Sequence, residues 1–594
     1  MRFHSNKKDG LQVFAVSGVN TISFAVDATA TAKKGLLGFA VERFDPKENQ
    51  RYFMPGFKVF PSVIPHPDKN TQVSTFDHPI QSFVWDDFTA KPDREYEYFF
   101  HPLRGKPRNL DRSAAPIKIK VMTEPLFSKL EHDVFFNRGV AGSQAYSRKF
   151  GNKPPDKLPP NKAKLALDWL SRDLDEAIFR FIRQAKQGDT LLCCFYEFRY
   201  RPVADELKAA IDRGVDVQLI VDGKVNEYTD KKGKFHPSFP RADNLSMLTG
   251  ANIPKEKVIL REAKPNDIQH NKFMVLLKTK NKKPAEVWTG STNISLGGIH
   301  GQTNVGHWVR NADVADMYRT YWELLSSDPG GMADDTAVDA RRKNAEFRSK
   351  VEALHDVPLS LEDIPVGITP VFSPRTGLKV LDMYVNMVDS AETAAYITLA
   401  FGINKAFKEQ LKDNTAHDHI VFILLEKKDK PNSSNPSAFV AINASNNVYK
   451  AWGSYLRDPI YQWAKETNAG ILKLNQHVSY IHSKFLLMDP LSDDPIVVTG
   501  SANFSDNSTN ANDENMLLIR GNQRVADIYF TEFNRIFNHY YFRSVAEATA
   551  DASQSDTEDS LFLKEKADDW LVNYKPGKLR QKRVDLFAKM KGFA

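Results

Sequence analysis

Two segments of this 594-residue chain carry one pattern twice, and any fold must accommodate the duplication. The first reads Ile268-Gln269-His270-Asn271-Lys272-Phe273-Met274-Val275-Leu276 and continues to Gly290-Ser291-Thr292-Asn293. The second reads Tyr480-Ile481-His482-Ser483-Lys484-Phe485-Leu486-Leu487-Met488-Asp489 and continues to Gly500-Ser501-Ala502-Asn503. The offset is 212 residues at the histidines and 210 at the glycines. A period this long marks a duplicated domain rather than a solenoid. The flanking grammar repeats as well. Strand, helix and strand patterns over 190–198, 203–213 and 215–221 recur over 394–401, 405–412 and 419–425. Two α/β lobes packed face to face are expected.

The spacing inside each motif carries the chemistry. On a strand, residues i and i+2 project from the same face. His270 therefore points with Lys272, and His482 with Lys484. An imidazole beside an ammonium makes a poor core, because burying both costs several kcal/mol. It makes a good anion site, in which Lys holds a phosphate oxygen while His attacks phosphorus. Asn293 and Asn503 add uncharged amide donors, and Gly290 and Gly500 permit close backbone approach.

The chain is too long for one hydrophobic core. Residues 1–125 read as short strands (11–14, 21–26, 35–44, 96–100, 117–122) separated by turn clusters, a β-sandwich that looks like a fibronectin type III domain. Residues 126–345 and 346–545 then form the two lobes. Residues 163–186 read as one helix, and 545–560 as a flexible linker. Residues 546–594 comprise that linker and a tail with Trp570, Tyr574 and a basic cluster that could close on the core as a helix, although its charges favour a solvated face. Lys and Arg number 81 against 74 Asp and Glu, a net +7 that permits an anionic substrate without the basic stripe of a dedicated nucleic-acid binder. The two cysteines, Cys193 and Cys194, are neighbours on a strand, point to opposite faces and do not pair, which fits a reducing compartment. No basic-then-apolar leader opens the sequence, and no apolar stretch of about 18 residues follows. A cytoplasmic protein is expected, or one exported without a recognisable signal peptide.

The paired motifs resemble the phospholipase D superfamily, whose pattern is HxKxxxxD followed by GSxN. The resemblance covers about 125–545 and implies one active site on a pseudo-twofold axis between two mixed sheets flanked by helices. It implies that one His is phosphorylated while the other protonates the leaving group and then activates water. It also implies that Lys272, Lys484, Asn293 and Asn503 bind phosphate, with Ser291 and Ser501 in support, and that neither metal nor cofactor is needed.

Two positions depart from the pattern. Asp489 completes the second motif, but Leu277 stands at the equivalent place in the first, where weakened local architecture is expected. Family members also carry an acidic residue downstream of GSxN that orients a histidine. Glu514 fills that place in the second copy and Asn304 in the first. Taken within each copy, this pairs His482 with Glu514 and His270 with Asn304, making His270 the neutral nucleophile and His482 the acid and base. His307 is a second orienting candidate, although a buried structural role is commoner. His417-Asp418-His419 looks metal-like but lacks further ligands.

The expected activity is hydrolysis or transfer of a phosphodiester, with phospholipid as the favoured partner. The fused β domain, 39 Phe and modest charge suit a large, partly apolar substrate. Peripheral membrane contact fits, and a monomer suffices because both motifs lie in one chain. A metal-independent nuclease is the alternative, since the basic run 278–283 lies between the two halves of the first motif and could overhang the site. A catalytically decayed phosphate- or lipid-binding module is the third reading; Leu277 and Asn304 fit decay, whereas His270, Lys272 and Asn293 remain.

Overall fold

The apolar residues that follow each histidine face neighbours on both sides, and the two segments accordingly become central strands, Lys272–Lys278 and Phe485–Met488. The computed structural model describes residues 1–594 except 68–70, 140–145, 147–148, 152, 154, 280–281, 413–418, 430–439, 454–480, 552–561 and 594, with backbone alone for 542–551.

Each lobe is built on a seven-stranded mixed sheet, and the two sheets share one strand order. In the first the order is His132–Phe136, Val305–Val309, Lys283–Gly290, Lys272–Lys278, Thr190–Phe195, Asp216–Asp222 and Val258–Arg261. In the second it is Gly367–Ser373, Glu514–Arg520, Ile496–Gly500, Phe485–Met488, Ala394–Leu399, Ile420–Leu425 and Val448–Trp452. Thr190–Phe195 runs parallel to Asp216–Asp222, as Ala394–Leu399 does to Ile420–Leu425. The helices Leu174–Arg183 and Arg201–Asp212 cover the outer face of the first sheet, and Lys379–Asp389 and Lys405–Leu411 that of the second. The inner faces share one apolar core with the helices Ala312–Ser326 and Gln523–Asp551. Cys193 and Cys194 are buried, unpaired, and belong to opposite faces of their sheet.

The N-terminal region forms two main antiparallel sheets, one of four strands and one of five, in which Ile117–Met122 pairs with Glu95–Lys106. They pack face to face, with the Phe24 ring 4.7 Å from Tyr98 across the interface. The same core continues from this region into the lobes. Arg2 is buried; its guanidinium pairs with Asp527 at 2.9 Å and donates to the Pro490, Leu491 and Ser492 carbonyls.

Three expectations are corrected. The span 163–186 is two helices, Pro160–Ser171 and Leu174–Arg183, broken where Arg172 and Asp173 take left-handed φ of 48° and 66°. The break lets buried Arg172 reach Glu532 in the long helix of the second lobe at 2.7 Å. The helix Gln523–Asp551 runs into the expected linker, whose remaining residues 552–560 lie outside the described residues. The tail is not merely a solvated face. Trp570 donates to the Leu36 carbonyl at 2.9 Å, Tyr574 packs edge-on against Phe83, and Phe587 packs against Phe530, so the tail closes the groove between β region and second lobe. Among the described residues, no helix is long and apolar enough to cross a membrane.

Candidate active site

The motifs meet because the lobes interlock through their backbones. Gln269 forms a parallel bridge with Asp513, and Ile481 forms one with Thr303. The His270 N–H donates to the Asp513 carbonyl at 2.9 Å, and the His482 N–H to the Thr303 carbonyl at 3.2 Å. The two imidazole rings come to rest 6.4 Å apart between centroids. A second carboxylate fixes each approach. Asp222 accepts the Gln269 N–H at 3.0 Å, and Glu426 accepts the Ile481 N–H at 2.7 Å.

This interlock reverses the expected partners. His270 Nδ1 lies 3.0 Å from Glu514 Oε2, and His482 Nδ1 lies 2.9 Å from Asn304 Oδ1. The residue after each bridging position belongs to one lobe and lies beside the histidine of the other. Both copies keep nearly the same internal spacing, so spacing alone cannot separate pairing within a lobe from pairing across. Each serine of the GSxN segment donates to the orienting group that follows it. Ser501 reaches Glu514 at 2.6 Å, and Ser291 reaches Asn304 at 2.8 Å. The hydroxyls thus act through the histidine partners. Gly290 and Gly500 are required here, because a Cβ at either would collide with the Val305 or Asn515 carbonyl oxygen.

Lys272 and Lys484 are buried, and each donates to the carbonyl of its own histidine at 2.6 Å. Neither has a carboxylate within 4.0 Å among the described residues. Burial lowers Lys272 to about 8 against the opposing charges of Glu514 and Glu197, and burial lowers Lys484 well below its ordinary value, with Lys272 adding to the fall. Burial also brings His270 down to about 4, even with Glu514 beside it, because Lys272 and Lys484 oppose protonation. His482 falls well below its ordinary value through burial, Lys484 and Lys272. Burial alone would raise the Glu514 carboxyl, but His270 and Lys272 hold it below the usual range. The result is a cleft of neutral imidazoles and under-compensated ammoniums, which favours an incoming anion.

Asn293 is buried and donates to Glu197 at 2.9 Å, and Glu197 is paired with Arg199 at 2.8 Å. Sequence reasoning missed Glu197, which lies two residues past Thr190–Phe195 and outside both motifs. In the second lobe the equivalent place, two residues past Ala394–Leu399, is Phe401. Asn503 is half-buried, and its N–H donates to Ser508.

Asp489 accepts the backbone N–H groups of Glu392, Thr393 and Ala394 and the Thr393 hydroxyl. The place of the missing first-copy aspartate is not left weak. Asp189, at the start of the neighbouring strand, accepts the Thr279 N–H at 2.8 Å and its hydroxyl at 2.6 Å. Leu277 is simply buried. His307 does not orient a catalytic ring: it contacts Tyr529 at 3.0 Å and His132 at 2.9 Å. His419 contacts the Val388 carbonyl, while His417 and Asp418 lie outside the described residues. The described residues of the basic run 278–283 do not overhang the site. The run follows the far end of Lys272–Lys278, a strand length of roughly 20 Å from Lys272. Lys278 there faces Asp189 and Lys282 faces Asp216, while residues 280 and 281 lie outside the described residues.

Comparison with curated proteins finds no match. Among solved structures, phosphatidylserine synthase of Haemophilus influenzae Rd KW20 is 13% identical, covering 64% of this chain and 92% of its own, with a TM-score of 0.40. Yeast tyrosyl-DNA phosphodiesterase is 13% identical over 55% of this chain and 82% of its own, with a TM-score of 0.26. Nuc from Salmonella typhimurium, a phospholipase D family member, is 21% identical over 25% of this chain and 84% of its own, with a TM-score of 0.19. The family model described as cardiolipin synthase, PLD-like domain, matches twice, over residues 178–325 and 384–537. With those two copies spanning more than half of its length, the chain belongs to the phospholipase D superfamily.

Proposed function

We propose that this protein is a phosphodiesterase that works through a phosphohistidine on His270, with a phospholipid as substrate. The observation that carries the reading is the facing pair of imidazoles, each held through Nδ1 by an acceptor from the opposite lobe, beside two buried ammoniums. Holding Nδ1 leaves Nε2 of each ring for chemistry. His270 Nε2 attacks phosphorus, the bond to the leaving oxygen breaks, and that oxygen takes a proton from His482 Nε2. Water then attacks phosphorus and yields its proton to His482. The P–N bond breaks and its electron pair returns to His270. An alcohol in place of water gives transfer.

Partner type alone would assign the nucleophile to His482, whose acceptor is the neutral Asn304. Burial removes that distinction, since it leaves both rings neutral near pH 7, His270 even with Glu514 beside it. The carboxylate matters one step later. A phosphorylated imidazole is cationic, and Glu514 offsets that charge. His482 needs a proton for the first step, and a phosphodiester beside Lys484 and Lys272 counters the charges that depress it. The description of the matched family model as cardiolipin synthase supports a phospholipid substrate. The nuclease reading loses its sequence support, because the basic run lies at the wrong end of the strand.

The test is a quench of the enzyme in alkaline denaturant, which spares the acid-labile P–N bond, during turnover of labelled phospholipid, followed by phosphopeptide mapping at alkaline pH. Label is expected on the peptide carrying His270, and His270→Ala should lose about 10⁴-fold or more in kcat/KM. Label on the His482 peptide overturns the assignment. Release from single- or double-stranded DNA with none from lipid overturns the substrate.

A further inference from the structure

Beyond Asp216–Asp222 the chain leaves the body of the first lobe at buried Lys224 and returns at buried Ser238. Between them stands a two-stranded ribbon in which Tyr228 pairs with His236 and Thr229 with Phe235. That register puts Tyr228 and Phe235 on opposite faces. Both are nonetheless 59% exposed, as is Val225 at the base. A ribbon packed on the protein would hide one face, whereas this one offers an aromatic side chain to solvent on each. Such a ribbon is marginal by itself, and local contacts hold it. Asp230 accepts the Lys232 and Lys234 N–H groups and lies 3.0 Å from His236 Nε2, while Asn226 clamps Phe239 at the base. The tip carries Lys231, Lys232 and Lys234, all exposed and without a carboxylate within 4.0 Å among the described residues.

The ribbon's base is joined to the site by a chain of contacts. Its base residue Phe239 lies under Arg199 at 5.3 Å, Arg199 pairs with Glu197, and Glu197 holds Asn293. From the other lobe Phe401, the positional equivalent of Glu197, is 63% exposed, and Leu296 shows an apolar surface three residues past Asn293. Exposed apolar side chains thus follow strand ends in both lobes, and the ribbon adds exposed ammoniums. Aromatic rings next to lysines at a projecting tip suit the interfacial layer of an anionic bilayer. A single-stranded nucleic acid would need its rings on one platform, and this register divides them between two faces.

We propose that the ribbon 225–238 docks the protein on an anionic phospholipid surface, with Tyr228 and Phe235 in the interfacial layer and Lys231, Lys232 and Lys234 on the headgroups. The docking deepens the phospholipid reading of the site and rests on it for the choice of lipid among anionic partners. The test uses full-length protein carrying His270→Ala, so that no lipid is consumed. Sedimentation with phosphatidylcholine vesicles, with and without phosphatidylglycerol, should show binding that needs the anionic lipid and weakens with salt. Replacing the three lysines by Ala should lower partitioning by about 10²-fold, and Tyr228→Ser with Phe235→Ser by about tenfold, with melting curves unchanged. Partitioning that stays the same in both variants overturns the proposal, as does binding of single-stranded DNA, but not vesicles, through the same residues. Turnover is scored separately with the His270 protein on phospholipid in detergent micelles. Ribbon-dependent vesicle binding without turnover sinks the substrate reading and leaves the docking standing. Turnover with ribbon-independent binding does the reverse.

Discussion

The two lobes repeat one backbone but distribute charge differently over it. In the half-site around His270 the acceptor is the carboxylate of Glu514, whereas around His482 it is the amide of Asn304. Asn293 leans on Glu197, while the matching place near Asn503 holds exposed Phe401. At the far end of the strands the same contact is kept with its partners exchanged. Thr393 donates to Asp489 in the second lobe, and Thr279 donates to Asp189 in the first, both at 2.6 Å. Duplication has preserved the hydrogen bond rather than the residue. A missing motif aspartate is thus no sign of decay, because a threonine and a carboxylate still join the two strands at that end.

The charge difference at the histidines should have the largest consequence. Glu514→Gln removes the anion that faces a phosphorylated imidazole and should cost about 10²-fold in kcat, against about tenfold for Asn304→Ala. Rapid-quench measurement of phosphoenzyme formation and decay separates the two, and equal losses would erase the asymmetry of roles. The exchanged aspartates come next. Asp489→Ala and Asp189→Ala each strand buried donors and should lower the unfolding free energy by about 2–3 kcal/mol in urea titrations. A cost confined to Asp489 would show that Asp189 is no substitute. The smallest effect concerns Glu197. Lys272 is held at about 8 by burial, with Glu514 and Glu197 pulling it back up. Its proton is needed to hold an anion, so affinity is lost as pH rises through that value. Removing the Glu197 charge lowers the value further, and Glu197→Gln should move the basic limb of the kcat/KM profile to lower pH. An unmoved limb with reduced kcat would leave Glu197 a role in holding Asn293 alone.

Much of the fold was legible because its signals are local. Alternating apolar residues, Gly-rich turns and a repeated strand–helix–strand grammar mark both lobes, and the short Val- and Phe-rich runs before residue 125 mark the antiparallel β region. The helix break at Arg172 and Asp173 was not legible. An unbroken apolar stripe runs through it, and the break answers to Glu532, far away in sequence. The tail misled through its charge, since the few apolar residues Trp570, Tyr574 and Phe587 govern its packing. Glu197 carried no motif, and only its contact with Asn293 marks it.

By itself the sequence determined that His270 and Lys272, and His482 and Lys484, stand two residues apart where the chain enters the strands Lys272–Lys278 and Phe485–Met488. It also determined that the chain holds two such pairs. Which acceptor serves which ring was decided only in three dimensions. The bridges Gln269 to Asp513 and Ile481 to Thr303 cross from lobe to lobe. A contact between segments 178 or 244 residues apart leaves no trace in the spacing of either one.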